Sequence, residues 1–143
     1  MIGTKSNVSI PTGLNLSEVT NPVAEVWSFV FRNNEKKAIY LNIECPWRLV
    51  QKKAFISAGY DNGKKFGLPQ KFDAHKELIT ALDDQTLKSV NVLKYGDLAL
   101  SFTNNYILET FTYSGGYESW TLKTPKEMLV CMGSGEVTIF KQP

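Results

Sequence analysis

One histidine, His75, is the entire supply of imidazole in this 143-residue chain, and Cys45 and Cys131 are its only thiols. A single histidine excludes most zinc sites and the Ser–His–Asp triad. Two thiols far apart in sequence make no metal site by themselves, and each sits in an apolar, strand-like run, "LNIECPW" and "EMLVCMG". Core packing of reduced side chains is the reading that context supports. A Cys–His nucleophilic pair would have to recruit His75, which instead opens the polar helical stretch "DAHKELITAL". No apolar run reaches the length that spans a bilayer. The opening residues, "MIGTKSNVSIPTG", show no basic start followed by an apolar core. The expectation is a cytoplasmic protein, without a secretory signal and without membrane association.

Phosphate chemistry is missing as well. "GSGEVTIF" lacks the lysine of a phosphate-binding loop and joins two strands, and Gly133 and Gly135 are too little for a dinucleotide fingerprint. Charge of one sign is also absent: 16 basic against 14 acidic residues leave +2, with a pI near 8.5. That is too mild for a nucleic-acid platform. The pairs Lys36-Lys37, Lys52-Lys53 and Lys64-Lys65 read as solvated loop or edge residues. Aromatics beside lysines would suit stacking on single-stranded nucleic acid, but here they fall on the alternating faces of a core. Glu109, Glu118 and Glu136 are the strand-borne carboxylates considered for paired acid–base work. Alternating strands place carboxylates in such positions by chance, so the chain reads as non-catalytic, with no cofactor and no metal.

What is present is a core. Hydrophobic residues make up 43% and aromatics 12%, enough for one domain spanning 1–143. Period-2 alternation dominates. In "AEVWSFVF" (24–31), Trp27, Phe29 and Phe31 oppose Val26, Ser28 and Val30; in "AIYLNIEC" (38–45), Ile39, Leu41, Ile43 and Cys45 oppose Tyr40, Asn42 and Glu44. The polar "RNNEKK" between them predicts a hairpin. Pro46 predicts a bulge or edge before "WRLVQ" continues the strand. One helix is predicted at about 74–83, with Asp73 as N-cap and a stripe of Leu78, Ile79 and Leu82.

Beyond it, 87–95, 98–102, 106–113, 117–122, 127–132 and 136–140 read as a meander of antiparallel neighbours. Turns are expected at Gly96-Asp97, Asn104-Asn105, Ser114-Gly115-Gly116 and Gly133-Ser134-Gly135. The "SGG" turn is expected to hold Gly116 at positive φ. The predicted fold class is mainly β (α+β): an antiparallel curved sheet, β-sandwich or half-barrel with one short helix. Its expected core includes Trp27, Phe29, Leu41, Ile43, Leu98, Leu100, Phe102, Phe111, Trp120, Val130 and Ile139.

The run "GDLALSFTNNYILETFTYSGGYESWTL" followed by "EMLVCMGSGEVTIF", residues 96 to 140, resembles a family of small uncharacterised bacterial domains. "IYLNIECPWRL" is similar to that family's strand carrying an aromatic–Arg pair. Gly116, Tyr117, Glu118, Ser119, Trp120, Gly133 and Gly135 match as fold markers, and no catalytic residues come with the resemblance. Members are often found beside polymorphic or contact-dependent growth-inhibition toxins and taken to be their immunity proteins. The resemblance therefore implies an antitoxin that occludes a cognate toxin domain without chemistry; a ligand- or peptide-binding β module of unrelated role is the alternative.

An occluding protein needs a rigid surface with a few aromatic anchors in a polar rim. The longest non-periodic stretch, "SAGYDNGKKFGLPQKF" (57–72), offers Tyr60, Asp61, Lys64, Lys65 and Phe66 as the predicted partner-binding residues. A sheet face carrying Tyr106, Tyr113 and Tyr117 is the second candidate. The mild basicity points to an acidic partner face.

Overall fold

The computed structural model describes residues 6–52 and 54–141. Lys53 of the second lysine pair, and the first five residues of the N-terminal segment, lie outside that range. The chain forms a single antiparallel sheet with one α-helix. Its strands are β1 (Ser6–Val8), β2 (Leu14–Val23), β3 (Val26–Arg32), β4 (Ala38–Ile43), β5 (Trp47–Gln51) and β6 (Ala54–Ala58). After helix α1 (Ala74–Leu82) come β7 (Thr86–Val92), β8 (Leu98–Phe102), β9 (Tyr106–Thr110), β10 (Trp120–Lys123), β11 (Glu127–Cys131) and β12 (Val137–Lys141). The spatial order is β12-β11-β10-β4-β3-β2-β7-β8-β9-β5-β6, with β1 paired to β7 beside that path. The sheet is open, and the fold is mainly β with one short helix, as the alternation predicts.

The sheet curls tightly. From β3 to β5 there are five strand-to-strand steps, which in a flat sheet would span about 24 Å. Instead the rings of Trp27 and Trp47 meet edge to face with centroids 5.1 Å apart, and Phe29 reaches Trp47 at 5.8 Å. Phe31 meets Phe102 across the same interior at 5.9 Å. The right-handed twist of strands, added up over so many of them, permits this curl. What drives it is burial of the aromatic and aliphatic residues that alternation places on one face. Trp27, Phe29, Phe31, Ile39, Leu41 and Ile43 from the β3–β4 hairpin are all buried, facing Leu49, Leu98, Leu100, Phe102 and Leu108.

Helix α1 lies against β6 and β2. Asp73 caps it, its side chain accepting from the amide of Lys76 at 3.0 Å, as expected of that residue. The buried stripe is Ala74, Leu78 and Leu82, one residue every fourth position; Ile79 is exposed. Polar contacts fix the docking: Ser57 Oγ donates to the carbonyl of Ala74 at 3.1 Å, and His75 Nε2 meets the carbonyl of Val19 at 3.0 Å. The lone histidine thus bonds to the backbone of β2.

Several expectations are corrected by the pairing. Residues 113 to 119 form no hairpin: β9 is flanked by β8 and β5, whereas β10 lies between β4 and β11. The segment is a crossover, so the strand predicted to 113 stops at Thr110 and the next begins at Trp120. Gly116 is absent from the positive-φ residues. Nor does "WRLVQ" continue β4 past Pro46. The chain leaves the sheet there and β5 enters it between β9 and β6. Phe111 is half-buried, and Ile139, on the edge strand β12, is 54% exposed because no further element covers that margin among the described residues.

The strand expected over 87–95 ends at Val92, so the turn expected at Gly96-Asp97 is built on Tyr95-Gly96; the turns at Asn104-Asn105 and Gly133–Gly135 are as expected, and the three share one form. Tyr95 and Gly96 (64° and 82°), Asn104 and Asn105 (59° and 64°), and Ser134 and Gly135 (69° and 78°) are pairs at positive φ. Two of these tips lock together: the backbone of Gly135 packs directly on that of Tyr95.

Candidate functional site

At one end of the curled sheet the turns and strand starts surround a cleft of about 240 Å³. Trp27 and Trp47, at the beginnings of β3 and β5, line it together with Cys45 and Pro46. Ala24 and Glu25 from the β2–β3 turn and Glu44 from the end of β4 contribute further lining. Gly59 and Tyr60 follow β6, and Tyr113 follows β9. The β3–β4 register puts Trp27 opposite Ile43, so Glu25 and Glu44 lie beyond that pair at the same end of the sheet.

Burial separates the two kinds of aromatic. Trp47 is 2% exposed and Trp27 equally enclosed, whereas Tyr60 is 76% and Tyr113 66% exposed. A Cβ built on Gly59 would fall 2.4 Å from Nε1 of Trp47 and 3.0 Å from Nε1 of Trp27. Both indole N–H edges therefore converge on a position that only glycine can occupy. Nε1 of Trp47 has no hydrogen-bond partner among the described residues.

Of the predicted partner-binding residues, Tyr60 lines this cleft, and Lys64 joins it indirectly, its ammonium 3.0 Å from the centroid of the Tyr60 ring. Asp61, Lys65 and Phe66 do not line it. Asp61 is half-buried at the end of a short 3-10 turn, Lys65 is exposed, and Phe66 is exposed with φ 49°. The stretch 57–72 is less open than its composition suggests. Ser57 and Ala58 belong to β6. The amide of Gly63 donates to Phe72, the amide of Phe72 donates to Lys64, and Asn62 Oδ1 accepts from Ala74. The second candidate face divides: Tyr113 lines the cleft, while Tyr106 lines another hollow with Gln51, Lys52 and Gln85. Sequence reasoning missed Glu25, Glu44, Trp27 and Trp47 as site residues. The one local signal was Pro46 breaking the ladder immediately before Trp47.

The carboxylates considered for acid–base work are not brought together. Glu109 pairs with Arg48 at 3.3 Å on the sheet, where Arg48 also lies 4.7 Å from the centroid of Phe111. Glu118 and Glu136 are exposed on separate segments. Among the described residues no three His, Cys, Asp or Glu side chains cluster as a metal site would require.

A family model covers residues 10–141. The chain belongs to DUF6188, a family of unknown function. No curated protein and no solved structure matches the chain. The family match extends well upstream of residue 96, taking in Trp27, Glu44 and Trp47 as well as the C-terminal hairpins. Among the described residues no helix is long and apolar enough to cross a membrane.

Cys45, at the cleft wall, is free and buried, as is Cys131. Burial pushes the Cys45 thiol from 9.0 up to about 12 and that of Cys131 to about 11. Both are protonated, poor nucleophiles at neutral pH. A thiol that holds its proton more tightly in the fold than in the unfolded chain favours folding below pH 9. That advantage is lost as pH climbs from 9 toward 12. The urea midpoint is expected to fall over this window, and to fall less in a Cys45→Ala, Cys131→Ala double variant. An equal fall in both chains would show that the thiols do not contribute.

Proposed function

We propose that this protein is a non-catalytic immunity protein that binds a cognate toxin domain and occludes it, using the face around the cleft. The observation that carries the reading is the pairing of Tyr60 and Tyr113. They come from segments more than fifty residues apart, and both are exposed and line the same cleft as two buried tryptophans. Exposed tyrosines on a rigid base are what a binding hot spot needs, because they supply large contact area while losing little conformational freedom. The resemblance of residues 96–140 to a family of uncharacterised domains often found beside such toxins supports the same reading.

The test uses the toxin domain that this reading expects to be encoded beside this chain, co-expressed with it. Tyr60→Ala with Tyr113→Ala should weaken binding by about thirtyfold or more and abolish protection of cells, with the thermal midpoint nearly unchanged. Phe66→Ala with Lys64→Glu and Lys65→Glu probes the rest of the loop, and its effect should be smaller. Full protection by a folded Tyr60, Tyr113 variant would sink the reading. The cleft itself favours a second reading, a peptide-binding β module of unrelated role; that protein would bind a peptide and protect no cell.

A further inference from the structure

The cleft carries a charge opposite to that of the chain. The net formal charge is +2, yet Glu25 and Glu44 are the charged residues that line the cleft. Both are exposed, and neither makes an ion pair among the described residues. Two carboxylates without a cationic partner at one end of the sheet favour a positively charged ligand there. The ring faces of Tyr60 and Tyr113 add to that preference, since aromatic quadrupoles attract cations. Lys64, stacked over Tyr60, shows such a contact within the chain itself. The indole N–H edges, which would repel a cation, are turned toward Gly59 at the floor. Pro46 and the body of Trp27 offer apolar surface to an aliphatic stem.

A side chain that matches all of this has an apolar stem and a planar, permanently charged head with several donors. Arginine is that side chain: its guanidinium stacks on aromatic faces and donates to two carboxylates at once. Lysine, a strongly hydrated point charge, gains less from ring faces and must shed more water. We propose that the cleft is a receptor for an arginine side chain presented by the partner protein. The proposal rests on the occlusion reading above and specifies the chemistry of the anchor. It also reverses the inference from mild overall basicity that the partner's contacting face is acidic.

The test needs only the chain itself. N-acetyl-arginine amide is titrated against the ¹⁵N-labelled protein while the indole N–H signals of Trp27 and Trp47 are followed. Saturable shifts are expected, with a Kd on the order of 1 mM for so small a ligand. N-acetyl-citrulline amide, of the same shape without charge, should bind at least about tenfold more weakly. The Glu25→Gln, Glu44→Gln double variant should reduce arginine binding to the citrulline level with an unchanged thermal midpoint. No saturable shift at about twenty times the expected Kd, equal binding of citrulline, or arginine binding unaffected by the double variant would each overturn the proposal. Failure here is distinct from failure of the occlusion reading. If protection depends on Tyr60 and Tyr113 while arginine and citrulline are indistinguishable, occlusion stands and the arginine site falls. If the blocked arginine binds as described and cells go unprotected, the arginine site stands and occlusion falls.

Discussion

Replacing Gly135 with alanine is expected to cost about 3–5 kcal/mol of folding stability. Two separate penalties combine. At φ +78° an L side chain crowds its own backbone, and the new Cβ would sit 2.1 Å from the carbonyl oxygen of Tyr95 and 2.6 Å from its carbon. Those atoms are backbone in the β7–β8 turn, so no rotamer change relieves the overlap. The two hairpin tips must separate, and with them Gly96, whose own Cβ position lies 2.5 Å from the carbonyl oxygen of Gly135. Urea unfolding followed by tryptophan fluorescence measures the loss. Gly116→Val is the contrast: nothing lies within 4 Å of its Cβ position and its φ is not positive. Its effect should stay within about 0.5 kcal/mol. A loss below about 1 kcal/mol for Gly135→Ala would show that the tips do not lock in solution.

Trp120→Ala should be as severe, at about 3–5 kcal/mol. This side chain is fully buried at the start of β10, where its backbone pairs with Ile43 on one side and Cys131 on the other. Its Nε1 donates to the carbonyl of Gly96 at 2.8 Å. Truncation opens a cavity and also leaves that carbonyl without its indole donor. Trp120→Phe separates the terms: the ring volume is largely kept, and the missing hydrogen bond should cost about 1–2 kcal/mol. Equal losses for the two variants would mean that the hydrogen bond dominates over packing.

Strands with one buried face and unbroken parity were legible. Trp27, Phe29 and Phe31, or Leu98, Leu100 and Phe102, repeat every second residue because the pleat does. β2 was not legible, and its bulges explain why. The register with β3 shifts between Leu16 and Glu18, so the buried residues change from even positions (Leu14) to odd (Val19). No single alternation describes such a strand. The "SGG" segment misled for another reason. Turn residues report that the chain can bend, but not which strands pair afterwards, and both neighbours of β9 were already taken. The cleft drew on four separate segments (24–27, 44–47, 59–60 and 113), whose residues each had an ordinary local explanation: Trp27 as a core residue, Glu44 as an outward position, Tyr113 as the end of a strand. Tyr60 was recognised because it stood in a stretch with no periodicity to explain it, and Tyr113 only as part of a sheet face with Tyr106 and Tyr117 that the structure divides.

The strand order has a consequence for synthesis. Once residues up to Ile43 have left the ribosome, β3 and β4 can pair, but the outer edge of β4 has no partner until β10, residues 120–123, emerges. β5 likewise waits for β9. For most of translation the nascent chain therefore carries bare strand margins rich in aliphatic and aromatic residues, the kind that join to other chains. Completion of the sheet depends on residues 120–141. A ribosome stalled before Trp120 would release a product unable to complete its sheet, however well its first hairpin had formed.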